Sequence, residues 1–104
     1  MLMTTYVVSR HPGAVQWLVQ QGVALDHCLP HLHGQELRAG DRVVGTLPLQ
    51  LACWVCEQGA EYWHLGMDIP AQWRGQELTP AQMDACRARL ERFEIQRISV
   101  PKVW

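Results

Sequence analysis

The chain predicts an α/β domain, a mainly parallel sheet with helices against both of its faces. Two observations carry this. Short apolar runs bounded by turn residues alternate with segments whose apolar residues recur at three and four, so strands alternate with helices along the sequence. The 104 residues, 48% hydrophobic and 18% charged, suffice for one core but not for two. A single domain over residues 1–104 is expected. Strands joined by right-handed crossovers end along one edge of such a sheet, and ligands sit beyond those carboxyl ends where the strand order reverses.

The elements follow in order. Thr5–Val8 is the first strand. Pro12 opens a helix that carries Ala14, Trp17 and Leu18 on one face to about Gln21 and stops at Gly22. Val23–Cys28 reads as a second strand, and Pro30 to Gly40 as a polar loop. Arg42–Gly45 makes a third strand, after which Thr46-Leu47-Pro48 restarts a helix that runs to about Gln58 and ends at Gly59. Glu61–Leu65 is a fourth strand, which Met67–Ile69 could extend. Thr79 and Gln82 form a capping box with Pro80 at the first helical position. Met83, Cys86, Leu90 and Phe93 then recur at three and four, which predicts a last helix with Arg87, Arg89, Glu91 and Arg92 facing outwards. Glu94–Val100 reads as a closing strand that ends at Pro101.

Composition removes several functions. A net charge of −1 leaves no broad basic field for long nucleic acid, although a small anion gripped locally remains open. Met1-Leu2-Met3-Thr4-Thr5 lacks the charged start and long apolar stretch of a signal peptide, and no run reaches membrane-spanning length. A cytoplasmic protein with no membrane partner is expected. Four cysteines without a secretory signal argue against a disulfide framework. Cys53-Trp54-Val55-Cys56 has redox or zinc spacing, but no second pair accompanies it and both thiols fall in a helical apolar pattern, which favours core packing. His27, Cys28, His31 and His33 resemble a metal cluster without a firm fourth ligand, so neither metal nor cofactor is expected. Of five tryptophans, Trp54, Trp63, Trp73 and Trp104 cannot all be buried in so short a chain, which puts some at a dimer interface or against a ligand.

The candidate site is Ser9-Arg10-His11-Pro12-Gly13-Ala14, where the first strand becomes the first helix. Unpaired N–H groups and the helix dipole make such a corner an anion site. Arg10 can grip two phosphate oxygens, His11 can move a proton near neutral pH, and Ser9 can donate or accept a hydrogen bond. The simplest alternative is that Ser9 caps the helix while Arg10 and His11 are solvated. An arginine and a histidine together in one tight turn exceed what capping requires. No GxGxxG or GxxxxGK[ST] sequence points to a dinucleotide or a nucleoside triphosphate, and no carboxylate in this stretch would hold magnesium. Metal-free chemistry on an RNA phosphodiester fits, because the 2′-hydroxyl supplies the nucleophile and the protein need only align it, stabilise charge and manage protons. Gly45-Thr46-Leu47 forms a second strand-to-helix corner on the same edge: Gly45 would admit a ligand close to the backbone, and Thr46 either adds a hydroxyl or caps the helix. His31, in the loop after the second strand, borders the same edge, and Arg74 is either a further phosphate contact or a solvated loop residue.

Val7-Val8-Ser9-Arg10-His11-Pro12-Gly13-Ala14 with Trp17-Leu18 resembles the opening of the small Csx-sixteen CRISPR-associated family. Asp26-His27 through His31, Gly45-Thr46-Leu47-Pro48, Gly59-Ala60 before Tyr62, and Arg74-Gly75-Gln76-Glu77-Leu78 continue the likeness in order. Ser9 stands where members of the family often carry threonine, which preserves the hydroxyl. The resemblance implies a minimal Rossmann-like, CARF-like domain that acts as a stand-alone ring nuclease of type III CRISPR defence. Its ligand would be a cyclic oligoadenylate, cyclic tetra-adenylate above all, cut without metal to linear products that end in a 2′,3′-cyclic phosphate. A four-fold ring suits a homodimer whose two edges face each other across the symmetry axis. Arg10 would then hold the scissile phosphate, His11 act as acid or base, and Ser9 position phosphate or ribose. Two rival readings are a sensor or sponge that binds the ring uncut, and an interaction subunit that docks through exposed tryptophans.

Overall fold

The computed structural model describes residues 3–102; Trp104 lies outside them. Five strands form one sheet: β1 (Thr5–Val8), β2 (His27–Leu29), β3 (Arg42–Gly45), β4 (Glu61–Gly66) and β5 (Arg89–Phe93). Their order is β2-β1-β3-β4-β5. The first four run parallel and β5 runs antiparallel to β4, so the fold is the mainly parallel, Rossmann-like α/β domain expected. The chain leaves β1 on one side to make β2 and returns on the other side as β3, so the order reverses between β1 and β3.

Three α-helices flank the sheet: α1 (Pro12–Gln20), α2 (Leu49–Glu57) and α3 (Pro80–Ala85), with a short 3-10 turn over Ala71–Trp73. Period-two alternation divides the strands between two apolar layers. Val7, Val44 and Leu65 pack with Ala14, Trp17 and Leu18 of α1 and Met83 of α3. Val8, Val43 and Tyr62 pack on the opposite face with Ala52 and Val55 of α2. Both faces are thus covered, and the near-continuous apolar strands follow from that burial. Gly22 and Gly59 take the left-handed conformation just after α1 and α2 and end them, as the sequence indicates.

Several elements differ from the sequence reading, the smallest difference being that β4 ends at Gly66 without an extension over Met67–Ile69. β2 is confined to His27–Leu29, because Val23 and Leu25 serve the α1 layer on the approach to the sheet. Pairing starts where Asp26 N–H donates to the Thr5 carbonyl and the Thr5 N–H donates to Asp26 Oδ2. The larger correction is at the end of the chain. The apolar recurrence at Met83, Cys86, Leu90 and Phe93 is not one helix: α3 stops at Ala85, Arg87 turns left-handed at φ 57°, and the Ala88 N–H closes the helix end on the Met83 carbonyl. Arg89–Phe93 then pairs with β4, where Leu90 joins the α1 layer and Phe93 lies edge-on to His64. Residues three apart on a strand face opposite ways, so one periodicity served two layers. Glu94–Val100 makes no strand among the described residues; Ile95 packs near α2, with its N–H donated to Cys56 Sγ.

The Arg87 guanidinium beside Asp68 holds that carboxyl below the usual carboxylate range. Whatever the contact contributes is therefore present at neutral pH and lost only in acid, as pH falls through the folded-state titration. The pair is exposed and its contribution correspondingly small, whereas left-handed backbone at a non-glycine residue costs roughly 1–2 kcal/mol. Arg87→Gly is accordingly expected to stabilise the protein by about 1 kcal/mol in urea unfolding at pH 7. A lower urea midpoint would show that the side chain, not the backbone, governs this turn.

Candidate functional site

The carboxyl ends of β1 and β3 lie side by side, with Val8 in register with Gly45. Both chains then bend away into helices on opposite faces, which opens a cleft of about 470 Å³ between the two corners. Ser9, Arg10, His11 and Ala14 line it from the first corner, Gly45, Thr46 and Leu47 from the second, and His31 from the loop after β2. Ser9, Arg10, His11 and Ala14 thus share one cavity with Gly45, Thr46 and Leu47, whereas Pro12 and Gly13 of the same stretch do not line it. Its floor is apolar, formed among others by Val7, Leu18, Leu65 and Met83, and its polar groups gather at the rim.

At the first corner, Ser9 Oγ accepts the His11 N–H at 3.1 Å and the Ser9 N–H donates to the Leu29 carbonyl, which fixes the turn to both strands. His11 is the N-cap of α1 and no side chain caps that helix end, so Ser9 does not cap it. Pro12 occupies the first helical turn, exposed, and its neighbour Gly13 is buried. Gly13 does not face the cavity: a Cβ there would collide with the Leu78 carbonyl, so its missing side chain admits the 74–79 segment to the start of α1. Arg10 is exposed at the rim, and none of the ion pairs among the described residues engages it.

That docked segment carries the residue sequence reasoning missed. Glu77 Oε1 lies 2.9 Å from His11 Nδ1, with both side chains about two-thirds exposed, 63% and 66% respectively. A carboxylate does therefore sit at this corner, contrary to the expectation from the local stretch. It comes from 66 positions away, and although Glu77 falls in a recognisable motif, nothing local fixes that contact. Gln76 and Leu78 line the cleft beside it, whereas Arg74 and Pro12 are not among its lining residues. Arg74 Nε instead donates to the Ile69 carbonyl at 3.4 Å.

The second corner is held from below. The buried Tyr62 hydroxyl accepts the Leu47 N–H at 3.0 Å, donates to the Gly45 carbonyl at 3.2 Å, and lies 2.6 Å from His64 Nδ1. Burial pushes its phenol above the ordinary value, with the Leu47 N–H pulling the other way, so the hydroxyl remains a donor at neutral pH. Thr46 Oγ1 donates to the Leu65 carbonyl at 2.7 Å, and α2 starts at Leu49 with Pro48 as its N-cap, so Thr46 ties the turn to β4 and does not cap the helix. Gly45 is required for the strands to meet, because a Cβ there would lie 2.7 Å from the Val8 carbonyl.

The remaining candidates fall elsewhere. His27 stacks on Tyr6, and among the described residues no three His, Cys, Asp or Glu side chains are grouped as a metal ion would need. Cys53 is buried and Cys56 half-buried, both free, as core packing requires. Trp17 is buried, its indole N–H donated to Asp84 Oδ1 at 2.7 Å, which ties α1 to α3. Trp54, Trp63 and Trp73 are half-buried, and none of the described tryptophans lines the cleft. No helix among the described residues is long and apolar enough to cross a membrane.

Residues 6–96 match the family model described as "Putative CRISPR-associated protein (Cas_VVA1548)". No curated protein and no solved structure matches the chain.

Gly13 offers a direct check on how the site is built. Gly13→Ala forces the 74–79 segment off α1 and is expected to cost about 1–3 kcal/mol in denaturant unfolding, as over-packing does. An unchanged midpoint would mean that the segment is not seated on α1 in solution.

Proposed function

The chain belongs to this CRISPR-associated family, and on that premise we propose that it is a ring nuclease of the Csx-sixteen kind that binds and cleaves cyclic oligoadenylate, cyclic tetra-adenylate above all. The observation that carries the reading is the convergence of Ser9, Arg10 and His11 with Gly45, Thr46 and His31 on one cleft at the strand-order reversal, cationic and proton-carrying at the rim and apolar below. An apolar floor suits a nucleobase, and a free guanidinium beside a helix start suits the phosphate attached to it.

In the proposed reaction the 2′-oxygen attacks the adjoining phosphorus, a new P–O2′ bond forms and the P–O5′ bond breaks. The proton of the 2′-hydroxyl passes to His11, and solvent returns one to the departing 5′-oxygen. The product is linear and ends in a 2′,3′-cyclic phosphate. Arg10 binds the phosphate and meets the charge that grows on its oxygens, while the Ser9 turn holds the geometry. The ring, these side chains and a proton from solvent account for every bond change, so the reaction is expected to run without metal in the cytoplasm. A ring of four equal nucleotides would span two chains, each contributing one corner across a two-fold axis.

Incubation with cyclic tetra-adenylate in excess chelator, followed by separation of products, tests this reading. Linear adenylates with cyclic-phosphate ends are expected. Cleavage that is lost in chelator and restored by magnesium or manganese would refute the metal-free mechanism, and an intact but bound ring would make the protein a sensor or sponge.

Variants at the first corner separate binding from chemistry. Arg10→Ala is expected to weaken affinity and cleavage together by one to two decades, since a charge-assisted contact contributes about 1.5–3 kcal/mol. His11→Ala is expected to lower the single-turnover rate by about 10²–10⁴-fold while affinity changes little. Wild-type cleavage by folded His11→Ala would remove His11 from the chemistry.

A further inference from the structure

We propose that Glu77 is the positioning residue of the cleft: its carboxylate accepts the His11 Nδ1–H and thereby leaves Nε2 as the nitrogen that meets the substrate. The proposal rests on the reading of His11 as the proton-transfer group. The 2.9 Å contact between Glu77 Oε1 and His11 Nδ1 selects the tautomer, because an ionised carboxylate can only accept, so the nitrogen facing it must carry the hydrogen. Without such a partner a neutral histidine side chain favours hydrogen on Nε2, the wrong form for taking a proton through that atom.

As a stabilising contact the pair would count for little, since both side chains stand largely in water. Orientation is a different matter, and here the backbone on both sides of the pair is fixed. His11 is the N-cap of α1, with its N–H held by Ser9 Oγ. Glu77 lies one residue before Leu78, whose carbonyl fits against Gly13. It also lies two residues before Thr79, whose N–H and side chain are both closed by Gln82 in a capping box. The carboxylate is thus presented to the imidazole by two anchored turns. When His11 takes a proton on Nε2 the ring becomes cationic, and the adjacent negative charge favours that state as the reaction proceeds.

Long-range proton–nitrogen correlation spectra of the free full chain, recorded where histidine is neutral, report the tautomer directly. Wild-type His11 is expected as Nδ1–H, and Glu77→Ala as mainly Nε2–H. Glu77→Gln should retain Nδ1–H, because the amide oxygen accepts the same bond without the charge. The same tautomer in wild type and Glu77→Ala would overturn the proposal. In single turnover of cyclic tetra-adenylate, Glu77→Ala should slow cleavage about 10-fold at unchanged affinity, less than the roughly 10²–10⁴-fold that the acid–base group itself contributes, with Glu77→Gln restoring part of the loss. An unchanged rate after the tautomer has reverted would equally overturn it. Should wild-type protein leave the ring intact, the nuclease reading fails on that result, and the spectra decide the Glu77–His11 link separately.

Discussion

The parallel pairing of β1 with β3 is the constraint on which the site depends. With Val8 opposite Gly45, the two strands end at the same height, and each chain must leave the sheet there for a helix on the opposite face. The gap between the departing chains becomes the cleft. The pairing holds only because position 45 has no side chain, the Val8 carbonyl occupying the space where one would be. Tyr62 then secures the second turn from the next strand by closing the Gly45 carbonyl and the Leu47 N–H with one buried hydroxyl. The turn is thereby held by a residue that does not itself line the cleft.

The first corner is built from more distant parts of the chain. Ser9 closes its own turn, but His11 and Gly13 both receive the segment that precedes α3, one through Glu77 and the other through Leu78. That segment is fixed in turn by the Thr79 capping box and, through the Trp17–Asp84 hydrogen bond, by the packing of α3 on α1. Core packing and site geometry are the same contacts here: moving α3 would move the carboxylate beside His11.

Most of the sheet and both strand-to-helix corners were legible in the residues, because each is written locally: apolar runs, Pro12, and glycines at 22, 45 and 59 that only a turn or a close approach explains. Two things were not. The Met83–Phe93 periodicity reads equally as one helix face or as a short helix followed by a strand, and the left-handed turn falls on Arg87, which carries no glycine to announce it. The Glu77 partner was hidden for a different reason. A contact across 66 residues is set by how α3 docks on α1, and no local spacing encodes that. The expectation of a corner without carboxylates failed there, while the grouping of Ser9, Arg10, His11, Gly45 and His31 on one cleft followed from topology.

The central claim is that this cleft, and not the opposite end of the sheet, receives a phosphate-bearing ring. Backbone amide spectra recorded while cyclic tetra-adenylate is titrated into the protein test it most directly. The expected result is that shifts concentrate at residues 9–14, 45–47 and 76–78 and saturate at one ring per two chains. Shifts confined to β5 and the outer face of α2, or none at saturating ligand, would contradict it.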